Sequence, residues 1–479
     1  MSPARVPDGT PPAPERVRVP DGVLPAPERG ALPEPVALRR MLGPSVILLG
    51  LSIGSGEFVL WPRLTAEFGY ALFWACWIGV TLQFFLNMEI ERWTLATGES
   101  AVVGFVRLHR AFLPVFLVCA TLPWIWPGWA TGGATLLSWQ LGGSVAWISA
   151  GGLVLCGAVL SLGPVVYRTV ERIQLVLVAA IALGLGVLSV LLVRGPDVAA
   201  LFAGALRVGH VPDGVHWPAL LGALAFAGAG GSMNLAQSNY IKDKGYGMGA
   251  YVGRITSPFT GRDEATDSVG RVLRGDAADL ARWRVWWRRA NAEHLLSFYL
   301  LALASLALFC LVAGALLEPG ADPGPEFAFI AAEAEALAGR FGDGARWLFL
   351  GLGVAVLFST ELAVLDAVAR VSTDLLALPL AGRLSHSKLY FAVLWIVIAT
   401  GIAILIGGFD APLTLLVLSA ALNGVVMFLY SGLLLWLNWT SFEPPLRPSA
   451  WRAAALVVCT VFFGYFSLVT LADRLGWLG

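Results

Sequence analysis

Residues 51–63 read Leu51-Ser-Ile-Gly-Ser-Gly-Glu-Phe-Val-Leu-Trp-Pro-Arg63, and their reading decides the fold. The flanks are apolar enough to cross a bilayer, yet the centre holds Gly54, Ser55, Gly56 and the carboxylate of Glu57. A glycine pair lets a helix open and frees backbone amides and carbonyls. Irregular backbone survives at membrane depth only where it is buried in protein or lines a cavity. A carboxylate there costs about 2.5–3.5 kcal/mol on insertion scales, and such residues mark substrate or ion pathways. The stretch reads as the site of a transporter.

Working outward, apolar stretches of about 20 residues, the length that crosses ~30 Å of hydrocarbon, recur along the chain. They fall near 43–63, 70–90, 112–138, 144–165, 173–194, 217–240, 291–317, 345–375, 388–408, 412–438 and 451–472, which predicts eleven spans. With 57% hydrophobic and 13% charged residues, the composition excludes an ordinary soluble protein. The polar, proline-rich start shows no cleavable signal peptide. With the N-terminus inside, 25 Lys and Arg lie on inner segments and 6 on outer ones, Arg370 falling within a span. The positive-inside rule then predicts a cytoplasmic N-terminus and an outer C-terminus in a cell membrane, here expected to be a bacterial inner membrane.

Between the spans the sequence is mostly short. Residues 1–40 form a proline-rich tail in which Arg5-Val-Pro-Asp-Gly returns as Arg18-Val-Pro-Asp-Gly, a composition expected to be disordered. Residues 41–479 form the membrane domain, with one large basic loop at 241–290. Within it Leu280, Trp283 and Trp287 recur at helical spacing, which predicts an interfacial helix over 277–289 held by anionic lipid. All five cysteines lie in predicted spans without metal-ligand spacing and read as packing residues.

A second glycine cluster, Gly228-Ala229-Gly230-Gly231-Ser232, interrupts the sixth span. If spans one to five and six to ten form two groups, both interruptions fall in the first helix of a group. Paired broken helices at matching positions point to an inverted-repeat transporter with its site at the midplane. Close helix packing through glycine is the competing explanation.

Gly43-Pro44, the interrupted first span, Phe68-Gly69-Tyr70, Thr97-Gly98-Glu99 and Met233-Asn234-Leu235 stand in an order that resembles the Nramp family of proton-coupled divalent-metal transporters. The resemblance implies an all-α membrane protein of eleven helices, with the leucine-transporter type of five-plus-five inverted repeat and broken first and sixth helices. The departures from that family bear on function. Its Asp-Pro-Gly-Asn stands here as Gly54-Ser55-Gly56-Glu57, and its Met-Pro-His-Asn as Gly231-Ser232-Met233-Asn234. The family's metal-binding Asp and Met thus align with Gly54 and Gly231, so no metal site is expected. Glu57 with backbone carbonyls replaces a divalent ion's hydration shell poorly. Amides at half-helix ends suit an anion instead. Gly-Ser-Gly is also similar to the carboxylate-binding motif of amino-acid permeases of the same superfamily.

The expected substrate site comprises Gly54, Ser55, Gly56, Glu57, Gly230, Gly231, Ser232, Met233, Asn234 and Asn423. Glu57 reads either as a coupling-proton carrier or as a carboxylate bonded to neighbouring amides. Ser359 and Thr360 resemble the hydroxyl pair with which some transporters of this superfamily hold Na⁺, or else bond back to their own helix. Gln237 and Ser238 share a side of span six, and Asp366 and Arg370 can pair along span eight. No Walker loop or metal-spaced Cys/His set is present, and Glu293 with His294 is the only pair suited to catalysis at depth, so no enzyme and no cofactor are expected. The expected function is secondary-active transport of a small monovalent anion, bicarbonate first and a small carboxylate next, coupled to H⁺ or Na⁺. Divalent-metal and amino-acid transport are the alternatives. The expected partners are the small-ion substrate and the lipid bilayer, with no nucleic acid and no obligate protein.

Overall fold

Helices here are set by apolar length. The computed structural model describes residues 16–257, 268–317, 320, 322–380 and 383–477, with Ser55 described by its backbone alone. Among these residues nine helical runs are long and apolar enough to cross a membrane. One of them, Pro44–Thr97, would be ~80 Å long if straight. It turns at Gly69, where φ is 59°, and makes two passes. A further pass is split into Trp217–Ala225 and Gly231–Lys244, each too short to count alone. Eleven passes result. Spans one to five end with Phe68, Thr97, Leu141, Leu162 and Leu192. Span six is the split pair, and spans seven to eleven are Ala277–Leu316, Asp343–Ala377, His386–Ile406, Pro412–Ser441 and Ala450–Arg474.

The two interruptions expected in spans one and six turn out to be different in kind. Span six does break: Gly230 and Gly231 have φ of 77° and 51°, a left-handed backbone that other residues avoid. Span one does not unwind. Pro44–Ser52 passes into a π-helical segment, Ile53–Leu60, and then into Trp61–Phe68 without losing its hydrogen bonds. One extra residue per turn aligns Ser52 with Glu57, and the Trp61 amide reaches back five residues to the Gly56 carbonyl. Gly54 and Gly56 serve close approach, because a Cβ on either would overlap Thr360 or the Phe226 carbonyl. Span three carries an interruption that the sequence reading passed over, between Thr121 and Gly128.

The N-terminal segment also corrects expectation. Residues 1–15 lie outside the described residues, but 16–40 are ordered across the end of the bundle. Glu28–Gly30 (β1) pairs in parallel with Arg271–Leu273 (β2). Val17 bridges to Phe442, and the Glu443 amide donates to the Arg16 carbonyl at 2.9 Å. Proline gives up its N–H but keeps its carbonyl, and those carbonyls hold the segment. Arg107 donates to Pro20 and Pro25 at 3.0 Å, and Trp286 Nε1 to Pro33 at 2.9 Å. The helix expected over 277–289 is present within Ala277–His294, with Leu280 and Trp287 half-buried. It continues directly into span seven, and Trp283 and Trp286 are buried within the protein.

Candidate functional site

The expected site residues meet where spans one, six, eight and ten cross. Gly54 abuts Thr360 of span eight, Gly56 abuts the Phe226 carbonyl at the break, and Gly231 abuts the Asn423 side chain of span ten. The Ser232 amide donates to Asn423 Oδ1 at 3.3 Å, so Asn423 caps the second half of span six. The Gly230 amide donates to Gln83 Oε1 at 3.1 Å, which also accepts from Asn234 Nδ2 at 3.2 Å. Asn234 reaches Tyr430 at 3.0 Å as well, and Met233 is fully buried beside it. Ser238 accepts from the Ala101 amide at 3.1 Å.

The break itself is rich in donors. Among the described residues, the amides of Gly228, Ala229 and Gly231 donate to no partner. Phe226 stacks on Trp124 at 5.8 Å between centroids and lies 5.9 Å from Trp129. Trp124 spends its indole N–H on Ser232 Oγ at 2.7 Å, whereas that of Trp129 is buried without a partner. Free amides at a helix N-terminus add the positive end of the helix dipole. Such a constellation offers hydrogen bonds to an anion in a dry setting.

Other candidates are placed elsewhere. Glu57 accepts from Ser52 at 2.7 Å and turns off the glycine face toward Ser305 and Cys310 of span seven, with its second oxygen unpartnered. Thr360 donates to the Gly50 carbonyl at 3.1 Å and Ser359 to Val356 of its own helix at 2.8 Å, so the pair is not brought together around one point. Asp366 and Arg370 do pair, joined by Asp243 and by Tyr390, whose hydroxyl donates to Asp366 at 2.7 Å. Glu361 accepts from the Ala130 amide at 3.2 Å, capping the second half of span three.

Sequence reading missed Gln83, Trp124, Trp129, Phe226 and Tyr430. Pro123 and Pro127 flank the span-three interruption and were its visible signal, since a proline inside a helical pattern ends or kinks it. Gln83 carried no such signal, because a lone amide in an apolar helix reads as helix glue.

A cavity of about 780 Å³ opens on the face opposite the N-terminal segment. Arg63, Glu67, His216, Glu326 and Arg474 line its mouth, and Leu60 and Leu221 lie on its wall toward the break. Arg63 is steadied by the Gly324 carbonyl at 3.0 Å.

No protein-family profile matches the chain, and no curated protein matches it by sequence. Solved structures do match its shape. A variant of the Eremococcus coleocola manganese transporter is similar with a TM-score of 0.69 at 14% identity, over 95% of this chain and 91% of that one. The same transporter with an aromatic bis-isothiourea substituted compound gives 0.67 at 14% identity, with the same coverage. Mhp1, a nucleobase-cation-symport-1 family transporter in a closed conformation with bromovinylhydantoin bound, gives 0.52 at 12% identity over 96% of both chains. The chain has the all-α fold of these membrane transporters.

Proposed function

We propose that the chain is a secondary-active transporter of a small monovalent anion, with bicarbonate the first candidate and a short carboxylate or amino acid next. The observation that carries the reading is the break in span six, where three backbone amides and the Trp129 indole N–H lie buried without acceptors. Buried donors without partners cost about 1–3 kcal/mol each, and a single diffuse negative charge satisfies several at once. Gly54, Gly56, Gly230, Gly231 and Ser232 surround that position, with Asn234 and Asn423 bracing it. Substrate enters from the cavity at Arg63 and His216 and passes Leu60 and Leu221. Glu57, Ser359 and Thr360 are the proposed coupling groups for H⁺ or Na⁺.

A second reading, divalent-metal transport, is favoured by the shared fold with a manganese transporter. Among the described residues no group of three or more His, Cys, Asp or Glu is placed to hold a metal, which is why the anion reading stands first. Uptake of labelled bicarbonate, acetate and alanine into proteoliposomes, with and without H⁺ or Na⁺ gradients, separates the readings when Mn²⁺ is run in parallel. Saturable anion uptake that Gly231→Val abolishes is the expected result. Saturable Mn²⁺ uptake that falls on Glu57→Ala overturns it.

A further inference from the structure

A polar seam leads away from the glycine crossing, between spans two and six, toward the face that carries the N-terminal segment. Gln83, Asn87 and Glu91 follow at four-residue spacing on span two and so share one side of the helix. They face Asn234 and Gln237 of span six, and each of the five is at most 3% exposed. Gln237 Nε2 donates to Glu91 Oε2 at 3.3 Å. Where span seven leaves this seam, Glu293 accepts from Ser45 at 2.6 Å and from Ser297 at 2.8 Å. Ser45 meets His294 Nδ1 at 2.8 Å.

We propose that Glu91 and Glu293 form a further proton-binding site, holding one exchangeable proton between them that couples to the transport cycle beside the groups proposed at Glu57, Ser359 and Thr360. The proposal rests on the transporter reading above but not on the anion. Two features carry it. Neither carboxylate is ion-paired with a Lys or Arg among the described residues, although both are buried, where span two packs against the stretch Ala277–His294 that carries Glu293. Their partners are hydroxyls and an amide, which serve a carboxylate and a carboxylic acid equally well.

The second feature is a set of buried polar atoms left open at the pair. Gln237 Oε1, on the amide already bonded to Glu91, has no partner, and neither does either amide atom of Asn87 one turn away. Rotating the Gln237 amide by half a turn puts that oxygen where it accepts from a protonated Glu91. Ser45 reverses in the same way, donating to Glu293 when it is ionised and accepting when it is protonated. His294 Nε2, buried and unpartnered, completes that chain of donors and acceptors. Binding takes one H⁺ from water at the N-terminal face and forms one O–H bond, taking the pair from two negative charges to one.

The remaining groups facing the pair are accounted for. Span six brings Lys244, which is bound to Glu171 of span five, and the following loop brings Tyr246. On span two, Arg92 is committed to Glu89 at 2.6 Å, and Arg452 of span eleven also turns to Glu89, at 3.4 Å. None of these supplies a counter-charge to Glu91 or Glu293 at ion-pair distance.

Infrared difference spectra of the purified protein, titrated between acid and alkaline pH, test this without any substrate. The wild type is expected to show a carboxylic-acid carbonyl band near neutral pH, reduced in both Glu91→Gln and Glu293→Gln. Gln237→Leu, which keeps both acids, should move that band's midpoint. In proteoliposomes each Gln variant should lose at least tenfold in H⁺-driven accumulation while keeping substrate exchange. An unchanged band in both variants overturns the proposal, as does a Gln237→Leu midpoint identical to wild type should the Gln variants fail to fold. Absence of anion uptake with the band behaving as expected overturns only the anion.

Discussion

At Gly56 an added methyl group would meet the Phe226 carbonyl, which is backbone and cannot swing aside. At Gly151 in span four the same methyl would meet nothing within 4 Å. Overpacking costs about 1–3 kcal/mol where neighbours cannot yield. Gly56→Ala is therefore expected to lower thermal stability in detergent by several degrees, and Gly151→Ala by far less. Equal effects would show that span one and the break are not in contact. Gly231 combines both penalties, a φ of 51° and overlap with Asn423. Its replacement should abolish transport even where the protein still folds.

Elements meet water differently on the two faces. Helix Ala328–Phe341 precedes span eight and buries Glu333 against Phe58, Leu185, Phe309 and Phe349. Burial pushes the Glu333 carboxyl up to about 8 from its ordinary 4.5. The folded state thus binds this proton more tightly than the unfolded chain. Its stabilising contribution is complete below about pH 4.5 and is lost as pH rises toward 8, by as much as about 1.4 kcal/mol per pH unit. Glu333→Gln should flatten that part of the melting-temperature profile measured from pH 5 to 8. An unaltered profile would mean the carboxyl is solvated. On the opposite face the N-terminal segment is held through Arg107, whose ion pair with Glu99 is fully buried at 2.6 Å.

For the whole molecule, the excess of Lys and Arg on one side of the fold predicts its orientation in the membrane. The N-terminal segment and the loop after span six pair through β1 and β2 on one face, and the cavity opens on the other. The exposed Val23 and Val208 lie on these opposite faces, and all five native cysteines are buried. In intact cells an impermeant maleimide is expected to label Val208→Cys and to spare Val23→Cys until the membrane is opened. The reverse pattern would invert the proposed orientation.

Span number and the break at Gly230–Gly231 were legible in the sequence because both rest on local properties, apolar length and backbone freedom at glycine. Gly54 and Gly56 look the same in sequence but act otherwise. Whether a glycine opens a helix or lets a neighbour approach depends on what stands opposite, and Thr360 and Phe226 come from 306 and 170 residues further on. The N-terminal segment misled for a related reason. Proline-rich composition records the lack of an apolar face, but order here comes from carbonyls that accept hydrogen bonds from Arg107, Trp286 and Arg289. Residue type and local spacing are written along the chain, so the sequence determined how many helices form and where one must stop. Which buried polar groups find partners is settled only when distant helices pack, so the tertiary structure alone decided the amides left free at the break and the carboxylates left without a cation.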